Sequence, residues 1–269
     1  MTAMATQLTL QAFALSDKGR IRSENEDNFL LKADTGLFAV ADGMGGHAAG
    51  EVASAAVVGA LERIGPQESA AELLRLCEER LSAAHHDIVG EARRRGVGTM
   101  GSTVVVLLAF DHHYACLWAG DSRAYLLREG AIVQITHDHT EVAELVAEGV
   151  LTMQDAHLWP RRNVITRAVG AGHSLALDFV NGQIEPGDIF ILCSDGLTAH
   201  LADDEIACLA SSKGPSDACR DLVDLALQRG GADNVTVLVA RCGSQEATTR
   251  RLPSGFFDGA TGPEAGQAT

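Results

Sequence analysis

Four aspartates in this chain stand at the ends of short apolar runs, although they are far apart in the sequence. Three follow such a run directly or after one residue, and the fourth precedes one: Asp42, Asp121, Asp195 and Asp233. Apolar runs of this length bounded by Gly and Asp are typical of buried strands, which places each carboxylate at the rim of a sheet. Taken singly, such an aspartate usually caps a turn. If the four converge, their repulsion requires a cation, and oxygen ligands suit Mg²⁺, Mn²⁺ or Ca²⁺ rather than zinc.

The charge of the 269-residue chain argues against one class of partner. The formal net charge is −15, and no basic block is longer than Arg93–Arg95. Nucleic acid is therefore not expected as a partner, because neutralising its phosphates requires clustered positive charge. The acidity fits a cation-binding protein, although an ordinary acidic enzyme would explain it equally well.

The six cysteines form no CxxC pair, and Cys116 and Cys193 lie inside apolar runs. Reduced, buried thiols are expected, rather than a disulfide framework or a zinc site. The N-terminus lacks a basic region followed by an apolar stretch, and no apolar run approaches the ~18 residues of a membrane-spanning helix. We therefore expect a cytoplasmic protein that does not enter a membrane.

The same patterns predict the elements that must position the aspartates. Strands are predicted at 8–15, 28–32, 37–41, 103–110, 113–119, 124–128, 132–135, 175–181, 189–193 and 235–241. Helices are predicted at 51–64, 69–95, 141–148, 203–209 and 216–229. Short turns such as Asp111-His112 and Glu129-Gly130 join neighbouring strands, which indicates antiparallel hairpins. We therefore predict packed sheets flanked by helices, and not a doubly wound parallel sheet.

A glycine-rich turn at 43–48 matches the pattern G-x-G-x-x-[GA] between a strand and a helix, as in dinucleotide-binding proteins. That fingerprint also needs a second strand ending in an acid about 20 residues further on. Here the corresponding region, 61–64, is predicted to be helical, and Asp42 directly before the glycines would repel a pyrophosphate. Dinucleotide binding is therefore not favoured.

Seven segments, taken together and in order, resemble the metal-dependent serine/threonine protein phosphatases of type 2C (the PPM family) in their bacterial form. The segments are 19–27 (GRIRSENED), 40–47 (VADGMGGH), 101–103 (GST), 119–123 (AGDSR), 163–170 (NVITRAVG), 194–197 (SDGL) and 233–236 (DNVT). The resemblance covers roughly residues 10 to 241. It implies an α+β fold, a four-layer α-β-β-α sandwich of two mainly antiparallel sheets flanked by helices.

The resemblance also implies a metal centre with two Mn²⁺ or Mg²⁺ ions and a weaker third. The residues implied as ligands, directly or through ordered waters, are Glu26, Asp27, Asp42, Gly43, Asp121, Asp195 and Asp233. Among them, Asp42 would bridge two ions and Gly43 would contribute its backbone carbonyl to one. Asp121 would join Asp195 at the third ion.

The substrate side of the site is implied in the same way. Arg22 would bind the substrate phosphate, and residues 136–162 match the mobile flap beside the site. Some family members have a histidine two residues after the metal aspartate that can act as general acid, but here that position is Met44. His47, three residues later, is a candidate to orient a water or donate a proton, and a histidine that merely stabilises the turn is the alternative.

The implied activity is hydrolysis of phosphoserine and phosphothreonine in proteins by attack of a metal-bridging water. The chemistry is consistent with this arrangement, because a water shared by two cations loses its proton readily and the cations absorb charge on the phosphoryl oxygens. No covalent nucleophile stands out, since no cysteine lies in a Gly/Arg-rich loop. The expected partners are phosphorylated proteins and, by analogy, a Ser/Thr protein kinase and its substrates.

The predicted phosphatase domain spans 8–242 as a monomer, and residues 243–269, rich in Gly, Ala, Thr and Pro, are expected to be disordered. Two other functions remain open. A weakly active or inactive phosphoprotein-binding regulatory module could use the same fold, although intact Asp42, Asp195 and Asp233 argue against it. A two-metal phosphodiesterase or nuclease is disfavoured by the acidic composition.

Overall fold

Two antiparallel sheets packed face to face form the centre of the protein. The computed structural model describes residues 7–45 and 49–245. The first sheet has five strands in the spatial order β1 (Gln7–Asp17), β11 (Val235–Gln245), β10 (Ile189–Cys193), β7 (Arg123–Arg128) and β8 (Ala131–Gln134). The second sheet has the order β2 (Asp27–Lys32), β3 (Leu37–Gly45), β5 (Val104–Phe110), β6 (His113–Ala119) and β9 (Asp178–Gln183), with β4 (Met100–Ser102) paired to the far end of β3.

Helices cover the outer face of each sheet. The second sheet is covered by α1 (Ala49–Glu62) and α2 (Ala70–Arg95), and the first by α6 (Asp203–Ser212) and α7 (Pro215–Gln228). Three short helices complete the described part of the chain: α3 (Glu141–Ala147), α4 (Met153–Ala156) and α5 (Asp195–Thr198). The order of layers is helix, sheet, sheet, helix, so the predicted four-layer α+β sandwich is confirmed.

Along each central strand, successive side chains face the helices and the other sheet in turn, which explains why these runs are apolar throughout. In β10, Ile189, Ile191 and Cys193 face the helices, whereas Phe190 and Leu192 face the other sheet. Successive side chains of a strand point to opposite faces. Both faces of this antiparallel sheet are covered, so both sets of side chains must be apolar. The rigid, doubly covered strands are what hold polar residues at their ends in fixed positions.

The hairpin predictions are confirmed by backbone conformation. The β7–β8 hairpin turns through Glu129 (φ 51°) and Gly130 (φ 82°), the pair of positive φ angles that a tight two-residue hairpin requires. The β5–β6 hairpin turns through Asp111, also at φ 51°. The long helix α2 begins at Ser69, whose side chain accepts the Glu72 amide, and ends at Gly96 in a left-handed conformation.

Several element boundaries differ from the sequence-based prediction, and β4, α4 and α5 were not predicted. Residues 43–45 were expected in a turn, but they continue β3 and pair with β4, with Gly43 opposite Ser102. Strand β9 begins at Asp178 rather than at 175. Strand β11 continues to Gln245, three residues into the segment expected to be disordered, and the remainder, 246–269, lies outside the described residues.

All six cysteines are free thiols, which agrees with the expectation of no disulfide framework. Five are buried, and Cys208 is exposed on α6. Within residues 7–45 and 49–245, none of the helices has the combination of length and apolar character needed to cross a bilayer.

Candidate metal centre

The four aspartates gather at one end of the sandwich: three adjoin neighbouring antiparallel strands of the first sheet, and Asp42 lies within β3 of the second. In the second sheet, Asp27 at the start of β2 lies directly opposite Asp42 in β3. In the first sheet, the last residue of β10, Cys193, lies opposite Val237 near the start of β11 and Arg123 at the start of β7. The segments before β7, after β10 and before β11 therefore lie together, and they carry Asp121, Asp195 and Asp233.

Hydrogen bonds join the two sheets at this end. The Ser194 hydroxyl donates to Asp27 Oδ2 at 2.7 Å, so a residue after β10 holds a carboxylate of β2. Asn234 Oδ1 accepts the Glu26 amide at 2.8 Å. The Asn234 side-chain amide donates to the carbonyl oxygens of Lys18 and Glu24 at 2.8 and 2.9 Å. Asn234 therefore fixes both ends of the connection between β1 and β2.

Asp42 is fixed by its backbone. Its amide donates to Thr103 Oγ1 at 3.0 Å, and its carbonyl accepts the Thr103 amide at 2.8 Å. Thr103 Oγ1 is also 2.7 Å from the Ser122 hydroxyl, next to Asp121. The backbone of Asp42 is thus fixed, and its carboxylate lies within hydrogen-bonding reach of Asp195. The sequence analysis assigned no role to Ser194, Asn234, Thr103 or Ser122, although each lies within one of the seven segments of the resemblance.

The carboxylates of this cluster are electrostatically strained. Burial raises the pKa of Asp27 to about 7. Burial, followed by repulsion from Asp195, raises the pKa of Asp121 to about 7. The pKa of Asp42 is raised well above its usual range by burial and by the charge of Asp27, and that of Asp195 is raised by burial and by Asp233. Each shift means that negative charge is unfavourable here without a compensating cation.

The donor set fits hard divalent cations. Among the described residues, Asp27 Oδ1, Asp121 Oδ1 and Asp195 Oδ1 are buried without a hydrogen-bond partner. Unpaired buried carboxylate oxygens are costly, and oxygen-only coordination with several retained waters is what Mg²⁺ and Mn²⁺ prefer. A proton or a cation is required to balance them. The arrangement of carboxylates from both sheets is therefore suited to a cluster of divalent ions.

Gly43 and Glu26 form the wall of the centre next to α1. A Cβ at Gly43 would lie 2.1 Å from the Gly50 carbonyl oxygen and 2.7 Å from that of Glu26, so only glycine fits. Burial raises the pKa of Glu26, and a hydrogen bond from the Gly50 amide opposes that shift. Glu26 therefore lies against the N-terminal turn of α1, where an anionic side chain is favourable.

Arg22 lies at the edge of the carboxylate cluster, next to Asp233. Its Nη2 donates to Asp233 Oδ2 at 2.7 Å, and its side chain is 51% exposed. The hydrogen bond to Asp233 raises the pKa of Arg22 further. Arg20 is placed differently, because its Nε donates to the Leu227 carbonyl at the end of α7. His47 lies outside the described residues.

A cavity of about 290 Å³ adjoins the carboxylates on the side of α3 and α4. Its lining includes Asp121 and Asp195, together with His157 and Arg162 from the segment predicted as the flap. The flap segment and the carboxylates therefore line the same cavity.

A second cluster, His137, His139 and Asp178, brings three potential metal-ligating atoms within 4.8 Å of one another. The hydrogen bonds argue against a metal there. His139 Nδ1 accepts the Gly120 amide at 3.2 Å, so the ring proton lies on Nε2, the atom that would have to bind the ion. Arg167 Nη1 also lies 2.6 Å from Asp178 Oδ1 and already compensates its charge.

Substitution of Asn234 tests the hydrogen bonds that connect the two sheets. Asn234→Ala removes three hydrogen bonds and is expected to lower the free energy of unfolding by about 2–3 kcal/mol, at about 1 kcal/mol for each bond. Denaturant unfolding measures the change. Asn181→Ala, at an exposed position of β9, is the matched control and should be near neutral. An equal effect of the two substitutions would contradict the role given to Asn234.

Comparison with known proteins agrees with the sequence resemblance. Residues 6–145 match the family model described as Protein phosphatase 2C. The serine/threonine protein phosphatase PstP of Mycobacterium tuberculosis is 39% identical over 234 residues, which are 87% of this chain and 45% of that protein. The serine/threonine phosphatase stp of Listeria monocytogenes is 34% identical over 83% of this chain and 92% of its own length. The chain thus spans less than half of the mycobacterial relative.

Solved structures give the same result. PppA of Pseudomonas aeruginosa, described as a key regulatory component of T6SS, superposes with a TM-score of 0.81 at 40% identity, covering 87% of this chain and 99% of that one. The catalytic domain of PstP in complex with two manganese ions has a TM-score of 0.80 at 38% identity, covering 88% and 99%. The chain belongs to the protein phosphatase 2C family.

Proposed function

We propose that this chain is a Mn²⁺- or Mg²⁺-dependent phosphatase that hydrolyses phosphoserine and phosphothreonine in proteins. The observation that supports the proposal best is the convergence of carboxylates from both sheets, three of which have a buried oxygen without a partner. Membership of the family and the manganese bound to the PstP catalytic domain support the choice of metal.

Each residue of the cluster would bind the ions that the resemblance implies for it. Asp42 would bridge two ions, the Gly43 carbonyl would bind one of them, and Asp195 and Asp233 would bind the other. Asp121, with Asp195, would bind a third. Glu26 and Asp27 would act nearby, directly or through ordered waters; Ser194 engages only Oδ2 of Asp27, and the Gly50 amide hydrogen-bonds to Glu26.

When bound, the cations supply an acidic shared water and neutralise charge that develops on the phosphoryl oxygens. The chain itself must orient the phosphate. Among the described residues, Arg22 Nε and Nη1 make no hydrogen bond, so they remain available to two phosphate oxygens while Nη2 contacts Asp233. Arg22 thereby ties the substrate to a residue of the metal centre. The proton needed by the leaving serine or threonine oxygen is assigned to a water or to His47.

The proposal also includes the location, the oligomeric state and the substrates of the enzyme. We infer a cytoplasmic monomer whose phosphatase domain begins near residue 8 and includes the whole of β11, which ends at Gln245. Its substrates would be phosphorylated proteins, including a Ser/Thr protein kinase and the substrates of that kinase. Arg162 and His157 would contact the peptide next to the phosphorylated residue, because both line the cavity that also includes Asp121 and Asp195.

Metal removal tests the proposal directly. Chelator-stripped protein is expected to lose hydrolysis of an aryl phosphate and of a phosphothreonine peptide, and to regain both with Mn²⁺. Ca²⁺ should restore far less, because it favours longer and more irregular coordination. Rates measured across a metal titration give the result, with DNA and a cyclic nucleotide as control substrates.

Three outcomes would contradict this assignment. Full activity after chelation would eliminate the metal-dependent mechanism. Preferred hydrolysis of DNA or of the cyclic nucleotide would favour a two-metal phosphodiesterase. Mn²⁺ binding with tight phosphopeptide binding but no turnover would instead identify the inactive regulatory module.

A further inference from the structure

Asp178 connects both ends of the flap to the second sheet. On the side where the flap begins, His137 Nε2 lies 2.8 Å and His139 Nε2 lies 3.3 Å from Asp178 Oδ2. On the side where the chain returns, Arg167 Nη1 lies 2.6 Å from Asp178 Oδ1. The Thr166 amide also donates to the His139 carbonyl at 2.8 Å. His139 is therefore held between the two chain segments and the edge strand β9.

The ring of His139 has one orientation, because it is enclosed on several sides. It is 2% exposed, and it is stacked on Trp118 with ring centroids 6.0 Å apart and an interplanar angle of 12°. The Trp118 indole N–H donates to the His137 carbonyl at 2.8 Å, which fixes the indole itself. Burial lowers the pKa of His139, so the ring is neutral at neutral pH.

His139 holds the residue that precedes Asp121. Its backbone amide donates to the Gly120 carbonyl at 2.9 Å, and its ring Nδ1 accepts the Gly120 amide at 3.2 Å. Gly120 has φ 115° and lies so close to Thr103 that a Cβ would be 2.6 Å from the Thr103 Cβ. Both peptide groups of Gly120 are thus fixed, and the direction of the Asp121 side chain depends on them.

We propose that His139 is a positioning residue for Asp121: by clamping Gly120 from both sides, it sets the place of the Asp121 carboxylate in the metal centre. The stacked Trp118 ring holds the imidazole in this orientation, with Asp178 Oδ2 3.3 Å from Nε2. The proposal deepens the proposed function and rests on it, because the position of Asp121 matters to the enzyme through the third cation. The clamp itself is a property of the metal-free chain and is tested there.

Three substitutions at one position separate the two polar atoms of the ring. His139→Asn keeps an acceptor near the position of Nδ1, His139→Gln keeps a donor near that of Nε2, and His139→Ala removes both. In metal-free protein, hydrogen exchange of the Gly120 amide is expected to accelerate at least tenfold in the Ala and Gln variants, as for loss of one buried hydrogen bond. The Asn variant should remain within a few-fold of wild type.

Cation binding provides the second measurement. Calorimetry with Mn²⁺ should show the weakest binding step shifted about tenfold to higher concentration in the Ala and Gln variants, the usual scale for removing support from a metal ligand. The tighter steps should be unchanged, and the Asn variant should resemble wild type. His86→Ala, an exposed histidine on α2, is the matched control. Circular dichroism and thermal melting establish that each variant is folded.

The outcomes are distinct from those for the proposed function. Equal damage in the Asn and Ala variants, or unchanged Gly120 exchange in His139→Ala, would overturn the positioning role. Faster Gly120 exchange without any change in Mn²⁺ binding would overturn the link to Asp121. Failure of the wild-type protein to hydrolyse phosphopeptides would instead overturn the proposed function, while the exchange and calorimetry results would still decide the role of His139.

Discussion

Replacing Asp42 with asparagine is expected to reduce turnover of an aryl phosphate by at least ~10³-fold, the scale of losing a central electrostatic group in an active site. Asp42 lies between the two sheets, opposite Asp27 in β2, and its backbone is fixed by Thr103. An amide in its place offers one weaker oxygen and cannot bridge two cations. Binding of both tighter ions should weaken, as measured by calorimetry with Mn²⁺.

The same substitution should not destabilise the metal-free protein. The pKa of Asp42 is raised by burial and by the charge of Asp27, so ionised Asp42 is unfavourable in the folded state. Removing one of several mutually repelling groups should leave the metal-free melting temperature equal to that of wild type or higher. Mn²⁺ should raise the melting temperature of wild type more than that of the variant, because a ligand stabilises the state that binds it.

Asp87→Asn, at an exposed position of α2, is the control for this experiment and should match wild type in every measurement. Equal Mn²⁺-induced shifts in wild type and Asp42→Asn would show that Asp42 is not a ligand. A large loss of metal-free stability would show that Asp42 has a structural role instead of the strained position described above.

Arg22→Ala is expected to weaken binding of the transition state by ~2–4 kcal/mol, which is measured as a lower kcat/KM for phosphopeptides. This is the usual effect of truncating one side of a desolvated charge pair. Two guanidinium nitrogens of Arg22 have no partner among the described residues and can bind two phosphate oxygens. KM should rise, because phosphate binding is lost. Steady-state kinetics on a phosphothreonine peptide measure both constants.

The contact between Arg22 and Asp233 changes one expectation for this variant. Removal of an arginine that only binds substrate would leave the metal affinity unchanged. Here the substitution also removes the guanidinium group that donates to Asp233 at 2.7 Å. The pair is half exposed, so the resulting change in Mn²⁺ affinity should be small. Arg22→Lys should recover only part of the activity, because an ammonium group cannot bind two oxygens in parallel.

The control arginine must make no contact near the site. Arg20 is unsuitable by itself, since its side chain holds the end of α7 and its removal would change stability. Arg63 is exposed after α1 and makes no hydrogen bond among the described residues, so Arg63→Ala should behave as wild type. Equal kinetics in Arg22→Ala and Arg63→Ala, or loss confined to metal binding, would contradict the placement of Arg22 at the phosphate.

The sequence alone determined the strands, their hairpins and the aspartates at their ends. These features are local: alternating apolar residues define a strand within a few positions, and a turn such as Glu129-Gly130 requires only its own backbone angles. The seven ordered segments added the family and, with it, a prediction for each metal-centre residue. The four-layer sandwich and the family are confirmed, whereas the role of each side chain remains a prediction.

Only the tertiary structure decided how the carboxylates meet and what supports them. Ser194 reaches Asp27 across 167 residues of sequence, and Asn234 reaches Glu26 across 208. No local pattern encodes such contacts, because they depend on the register and packing of two sheets. The same reason explains why residues 43–45 form a strand: β4 pairs with them, and a glycine pattern read locally favours a turn. Sequence placed each aspartate at a strand end, and packing of the two sheets brought these ends together.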